Sequence, residues 1–192
     1  VDKNVKPLLV VISGCSGVGK DAILVRMKEL GLSYFFAVTA TSRQQRPGEI
    51  DGIDYQFIEK DHFEEMIANG DFLEWANVYG NIYGVPKTTV EKAMNEGKDA
   101  IVKVDIQGAA TIKRVAPDAV TIFISPPSME ELERRLVQRK TESGTDLELR
   151  LQTAQKEMES QPKFDHVVVS YNNGIDKAIS DIEDIIAAEK RR

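Results

Sequence analysis

A chain of 192 residues is long enough for one substantial domain, or one core carrying small lobes, and too short for two ordinary domains. With 42% hydrophobic and 29% charged residues it has an ordinary globular composition, and a net charge of −6 argues against a general nucleic-acid binder. The longest nearly apolar stretch, Pro7 to Ile12, is far too short to span a membrane.

In chain order, Leu8 to Ile12 is a short β-branched apolar run of the kind buried on both faces of a parallel sheet. A glycine-rich turn follows it, then a helix from about Asp21 to Leu30 closed by Gly31. The rhythm breaks between Phe35 and about Tyr83. Strand-like pieces fall at Phe35 to Ala40, Asp54 to Ile58 and Leu73 to Tyr79, with a short helix near 61–69 and turns at Pro47-Gly48, Asp51-Gly52 and Gly80-Asn81. This reads as a small, partly antiparallel lobe inserted into a larger core.

Further strands are expected at Ile101 to Val104, Ala119 to Ile124 and Val167 to Val169, with helices near 108–116, 128–139 and 146–160 between them. In the last helix Ile175, Ile179, Ile182 and Ile186 share one face, and core contact accounts for them. Strands alternating with helices imply an α/β core with a mainly parallel central sheet flanked by helices. The polar segment from about 140 to 146 interrupts two helices, as a lid would. The expected organisation is a single domain over 1–192. Its core covers about 1–34 and 84–192, its lobe about 35–83 and its lid about 140–146.

Cys15 is the sole cysteine, so no intramolecular disulfide is possible, which fits a reducing compartment. His62 and His166 lack the spacing of a metal-ligand cluster and read as surface or strand-end histidines. The first six residues carry no apolar signal core. A cytoplasmic location is expected, with an organelle location after removal of a transit peptide left open.

The strongest motif is Gly14-Cys15-Ser16-Gly17-Val18-Gly19-Lys20, which has the G-x-x-x-x-G-K spacing of a phosphate-binding loop between a buried strand and a helix. Glycines let the backbone curl so that its N–H groups face anionic oxygens, and the helix N-terminus adds partial positive charge. Lys20 reaches the terminal phosphates as a point charge. The motif normally continues with Ser or Thr to contact Mg²⁺, but here Asp21-Ala22 follows. Asp21 either binds the metal directly or through water, or is a favourable acid in the first helical turn, or repels the phosphates.

A second cluster runs Thr39-Ala40-Thr41-Ser42-Arg43-Gln44-Gln45-Arg46-Pro47-Gly48-Glu49, then Asp51-Gly52 and Asp54-Tyr55. Two arginines three apart among hydroxyls suit a compact dianion, because guanidinium forks take phosphate oxygens in pairs. A surface loop with scattered arginines is the competing reading.

Taken together, Ser13 to Lys20, Thr41 to Glu49, Asp54-Tyr55, Phe72-Leu73-Glu74-Trp75-Ala76, Gly80-Asn81-Ile82-Tyr83-Gly84, Val104-Asp105-Ile106-Gln107-Gly108 and Ile124-Ser125-Pro126-Pro127-Ser128 carry a resemblance. Arg135 and Arg139 before the lid and Arg150 after it belong to the same set. Along nearly its whole length the chain resembles the guanylate kinase family of P-loop nucleoside monophosphate kinases.

The resemblance implies Mg²⁺-dependent transfer of the ATP γ-phosphoryl group to GMP or dGMP, by a monomer or homodimer that needs neither nucleic acid nor membrane. It implies that Gly14, Cys15, Ser16, Gly17, Val18, Gly19, Lys20 and Asp21 hold ATP, with Asp21 the candidate metal contact. Arg43, Arg46, Tyr55 and Tyr83 would hold the GMP phosphate, with Glu49 supporting the arginines. Glu74 would accept from guanine, with Thr39 and Asp105 helping to read the base. Arg135, Arg139 and Arg150 would join Lys20, Arg43 and Arg46 around the transferring group, and Asn172 lies near the family's adenine-side asparagine.

Four choices depart from the family's usual pattern: Cys15, Asp21-Ala22, Val85 where Ser or Thr donates to guanine O6, and Lys103 where an acid is usual. Val85 implies guanine discrimination weaker by one neutral hydrogen bond, about 0.5–1.5 kcal/mol. Two other readings stay open: a scaffold-type, catalytically inactive module that binds phosphopeptides, and a related kinase with another acceptor.

Overall fold

The computed structural model describes residues 6–78, 80–138 and 144–192. Its centre is a five-stranded parallel sheet of β1 (Leu9–Gly14), β2 (Phe35–Phe36), β7 (Ala100–Lys103), β8 (Val120–Ser125) and β9 (His166–Val169), in the order β2-β7-β1-β8-β9. Every residue of β1 and of β8 is buried. That is what a strand covered on both faces requires, and it explains why these segments read as unbroken apolar runs.

The pleat sorts the runs into two cores. Val10, Ile12, Ile101, Ile122 and Ile124 face one side, against α1 (Lys20–Glu29), α5 (Met129–Gln138), α6 (Gly144–Met158) and α7 (Ile175–Glu189). On the opposite side, Leu9, Val11, Ala100 and Val102 meet α3 (Lys87–Asn95) and α4 (Ile106–Val115). The expected apolar face of α7 is buried, with Ile179, Ile182 and Ile186 in the first of these cores.

The remaining strands, β3 (Ala40–Thr41), β4 (Gln56–Phe57), β5 (Phe72–Val78) and β6 (Asn81–Pro86), form a second sheet in the order β4-β3-β6-β5. Pairing of β3 with β6 and of β5 with β6 is antiparallel, whereas β3 and β4 run parallel. Its own small core is made by Ala40, Phe63, Phe72 and Ile82, with the Phe63 and Phe72 rings stacked at 4.5 Å and α2 (Lys60–Asn69) laid across it.

Three expectations need adjustment. The strand expected over Phe35 to Ala40 is two strands in different sheets: Phe35–Phe36 pairs with β7 in the central sheet, and Ala40–Thr41 joins the lobe. The nearly continuous apolar run from Phe35 to Ala40 hid that handover, because such a run does not say which sheet a strand joins. Strand β6 runs on to Pro86, and α3 follows directly, an element the sequence reading had not placed. From Gly144 the chain is already helical, so 144–146 belongs to α6; the rest of the expected lid lies outside the described residues.

This topology positions the site. From β1, neighbouring strands lie on both sides, β7 on one and β8 on the other, so the chain order reverses there. Open parallel sheets bind ligands at such a switch point, beyond the carboxyl ends of the strands. Here those ends are Gly14, Lys103 and Ser125.

Candidate active site

The turn leaving β1 can be built only with glycine at its start. Gly14 has φ 138°, and a Cβ there would stand 2.2 Å from the Ile124 carbonyl oxygen. Gly19 has φ 104° and precedes α1, whose N-terminus has no side-chain cap. The first amides of α1 therefore have no competing side-chain acceptor in place, the arrangement that favours an anion.

Lys20 folds back over this loop, its Nζ donating to the carbonyl oxygens of Gly14 at 2.5 Å and Cys15 at 3.0 Å. Burial lowers its pKa, while Glu157, Cys15 and Asp21 oppose that shift and Lys103 adds to it. Ser16 N donates to the Glu157 carboxylate of α6 at 2.8 Å, so an anion already sits on one loop amide. Cys15 contributes backbone only. Its thiol is fully buried, 3.6 Å from the Ala154 carbonyl oxygen, and burial pushes its pKa up to about 11.

In the lobe, Glu49 organises the arginine cluster. It accepts from Arg43 Nη1 at 3.1 Å and Nη2 at 2.8 Å, and from the Arg46 backbone N–H at 2.8 Å. These bonds hold the Glu49 carboxyl below the usual range, Arg43 first and the Arg46 amide second. The guanidinium of Arg43 lies over the Tyr55 ring at 5.4 Å and the Phe57 ring at 5.7 Å. Tyr83 stands edge-on to Tyr55 with ring centroids 6.0 Å apart. Replacing Glu49 by Gln keeps the volume but removes the charge-assisted fork, so Arg43 loses its fixed orientation. The expected result is roughly tenfold weaker GMP binding with ATP binding unchanged, read by calorimetry with each nucleotide.

Glu74, on β5, is 8% exposed and its pKa is raised to about 7 by burial first and by Asp105 second. Asp105 caps α4, accepting from Gly108 N at 2.7 Å. Gly108 makes room for the acid: a Cβ there would come within 3.1 Å of Glu74 Oε2. Val85 is cross-strand from Glu74, but its side chain is buried in the core beside α3 and α4.

A cleft of about 520 Å³ joins the two halves, lined on the loop side by Gly14, Ser16, Lys20 and Asp21 and on the lobe side by Thr39, Tyr55, Glu74 and Tyr83. Asp105 borders it as well, as do Lys103 and Glu157, which the sequence reading had not assigned to a site. Lys103 stands out in the sequence only as a departure from the family's usual acid; nothing in the sequence marks Glu157. Arg135 is placed elsewhere. It braces the outside of the loop, donating to Val18 O at 3.0 Å, Ser170 O at 2.7 Å and Asn172 Oδ1 at 3.2 Å, beside a second pocket shared with Asn172. Arg139 lies outside the described residues, and of Arg150 only its place in α6 is described.

The guanylate kinase family model matches residues 6–189. The chain belongs to the guanylate kinase family. It is 46% identical over 192 residues to a guanylate kinase of Clostridium perfringens strain SM101, covering all of this chain and 88% of that one. Over 188 residues it is 44% identical to guanylate kinase 2, chloroplastic/mitochondrial, of Oryza sativa subsp. japonica, covering 97% of this chain and 66% of the rice protein. A crystal structure of guanylate kinase from Anaplasma phagocytophilum superposes with a TM-score of 0.76 at 31% identity, over 98% of this chain and 88% of that one. Among the described residues no helix is long and apolar enough to cross a membrane.

Proposed function

We infer that this chain is an ATP:GMP phosphotransferase, producing GDP and ADP. The observation that carries the reading is the single cleft into which both the phosphate loop with Lys20 and the acceptor group of Tyr55, Tyr83 and Glu74 open. Phosphoryl transfer asks a protein chiefly for alignment and positive charge. Loop amides and Lys20 supply these at ATP, and Arg43 with Tyr55 and Tyr83 supply them at the GMP phosphate. Glu74 selects the base: its carboxylate meets two donors on guanine, whereas adenine presents an acceptor at N1 and leaves it unpaired.

Mg²⁺ fits this site in a limited way. Among the described residues no group of three or more His, Cys, Asp or Glu gathers to hold a metal. An ion held mainly by phosphate oxygens needs only one carboxylate, and Asp21, in the first turn of α1 and on the cleft wall, is the residue that would hold it. Bound there, it would draw negative charge from the phosphates.

Purified chain with Mg²⁺ and ATP should convert GMP to GDP, with dGMP slower. Measurable GMP binding without turnover would leave the inactive phosphopeptide-binding module as the better account.

The lobe, expected over about 35–83, is read as the acceptor-binding part, closing toward the phosphate loop when the two nucleotides bind and excluding water from the γ-phosphoryl group. Small-angle scattering should show a smaller radius of gyration with GMP and a non-hydrolysable ATP analogue together than with neither. Superimposable profiles would contradict closure.

A further inference from the structure

We propose that Lys103 is a second catalytic lysine, whose ammonium contacts the γ-phosphoryl oxygens of ATP and rests on Asp21 until the nucleotide arrives. The inference builds on the phosphotransferase reading and adds a residue to it. Lys103 ends β7, and its Cα is in register with Ile12 of β1, two residues before the phosphate loop begins at Gly14. Its side chain therefore leaves the sheet beside the loop, at the switch point, and lines the same cleft as Lys20.

The ammonium is not consumed by the fold. It forms an ion pair with Asp21 in which the Lys103 side chain is 34% exposed and that of Asp21 is 78% exposed. A pair so open to water contributes little to stability, so stability does not explain a lysine at the end of an otherwise apolar strand. The charge balance of the cleft does. Its walls carry Asp21, Glu74, Asp105 and Glu157 against only Lys20 and Lys103 among the described lining residues. A triphosphate entering a cleft with four carboxyl groups and one lysine would meet net repulsion, which the second lysine reduces. Asp21 follows Lys20 directly, and pairing with Lys103 keeps its charge from facing the phosphates alone.

A plainer role, in which Lys103 only neutralises Asp21, makes a different forecast, and a double-mutant cycle separates the two. Wild type, Lys103→Met, Lys103→Arg, Asp21→Asn and the Asp21→Asn/Lys103→Met double variant are titrated by calorimetry in EDTA with the β,γ-imido analogue of ATP and with ADP. Thermal melts establish that each variant is folded.

Lys103→Met should bind the ATP analogue about tenfold more weakly with ADP nearly unaffected, because the lost charge-assisted bond is to the γ-phosphoryl group. The double variant should still bind the analogue more weakly than Asp21→Asn alone, Lys103→Arg should recover affinity in part, and turnover of Lys103→Met should fall on the order of 100-fold. If the double variant binds the analogue as well as Asp21→Asn, or Lys103→Met binds it undiminished, Lys103 is not a phosphate contact. The binding arm needs no turnover. A wild-type chain that fails to phosphorylate GMP would overturn the functional reading while leaving this cycle decisive for Lys103.

Discussion

Replacing Glu74 by Gln lowers kcat/KM for GMP by about 10- to 100-fold, the loss expected when a charged acceptor of two hydrogen bonds becomes a neutral acceptor of one. ATP binding changes by less than twofold, since Glu74 lies on the lobe wall of the cleft and the proposed ATP contacts are the loop residues opposite. The amide nitrogen of Gln can donate where the carboxylate could only accept, so the variant gains toward AMP, whose N1 accepts. Steady-state kinetics with both acceptors measure this directly. Equal losses for GMP and ATP would mean that Glu74 supports the cleft as a whole rather than reading the base.

The same residue imposes a pH dependence whose sign follows from its environment. Burial and Asp105 raise the Glu74 carboxyl to about 7, so near neutral pH much of it is protonated. Guanine needs the ionised form. GMP binding therefore releases protons, is independent of pH well above 7, and weakens about tenfold for each unit below it. The GMP phosphate titrates in a neighbouring range, and Glu74→Gln subtracts it: wild type minus variant leaves the carboxyl alone. Calorimetry at pH 7 in two buffers of different ionisation enthalpy should show proton release for wild type that the variant lacks. A wild-type profile coincident with that of Glu74→Gln from pH 6 to 8 would contradict the raised pKa.

The parts legible in the sequence are those dictated by local backbone chemistry. Gly14, Gly17 and Gly19 all take positive φ, as the loop spacing implies, and β1 and β8 are buried as their apolar runs require. The lobe announced itself through turn residues: Gly48, Gly52 and Gly80 also take positive φ. The rest depends on what the chain meets after it folds. Phe35–Phe36 and Ala40–Thr41 look like one strand because an apolar run cannot say which sheet a strand joins. Glu157 reaches Ser16 across 141 positions of sequence, and Lys103 reaches Asp21 across 82. No periodicity encodes such pairs. Arg135 shows the converse: a residue assigned to the transferring group by resemblance donates to the carbonyls of Val18 and Ser170. To act on a phosphate it must exchange those acceptors, a motion that a sequence cannot display.

Replacing Lys20 by Met should abolish most turnover, lowering kcat by about 10³-fold or more while the fold survives. The magnitude follows from the chemistry, in which one cation aligned on the transferring phosphoryl group is worth at least that much in rate. Survival of the fold follows from the structure. The Lys20 ammonium is held by two carbonyls of its own loop, at Gly14 and Cys15, and burial already works against its charge, as its lowered pKa records. Methionine keeps the aliphatic stem and removes a charge that burial disfavours, so the melting temperature should stay within a few degrees of wild type. Lys20→Arg should fare little better in turnover, because a planar fork cannot occupy the space of a compact ammonium curled against the loop. GMP affinity, governed by the lobe, should be unchanged in both variants. Single-turnover rates with saturating ATP and GMP isolate the chemical step. Retention of more than a tenth of the wild-type rate in Lys20→Met would move the burden of charge neutralisation from the phosphate loop to the arginines and Lys103.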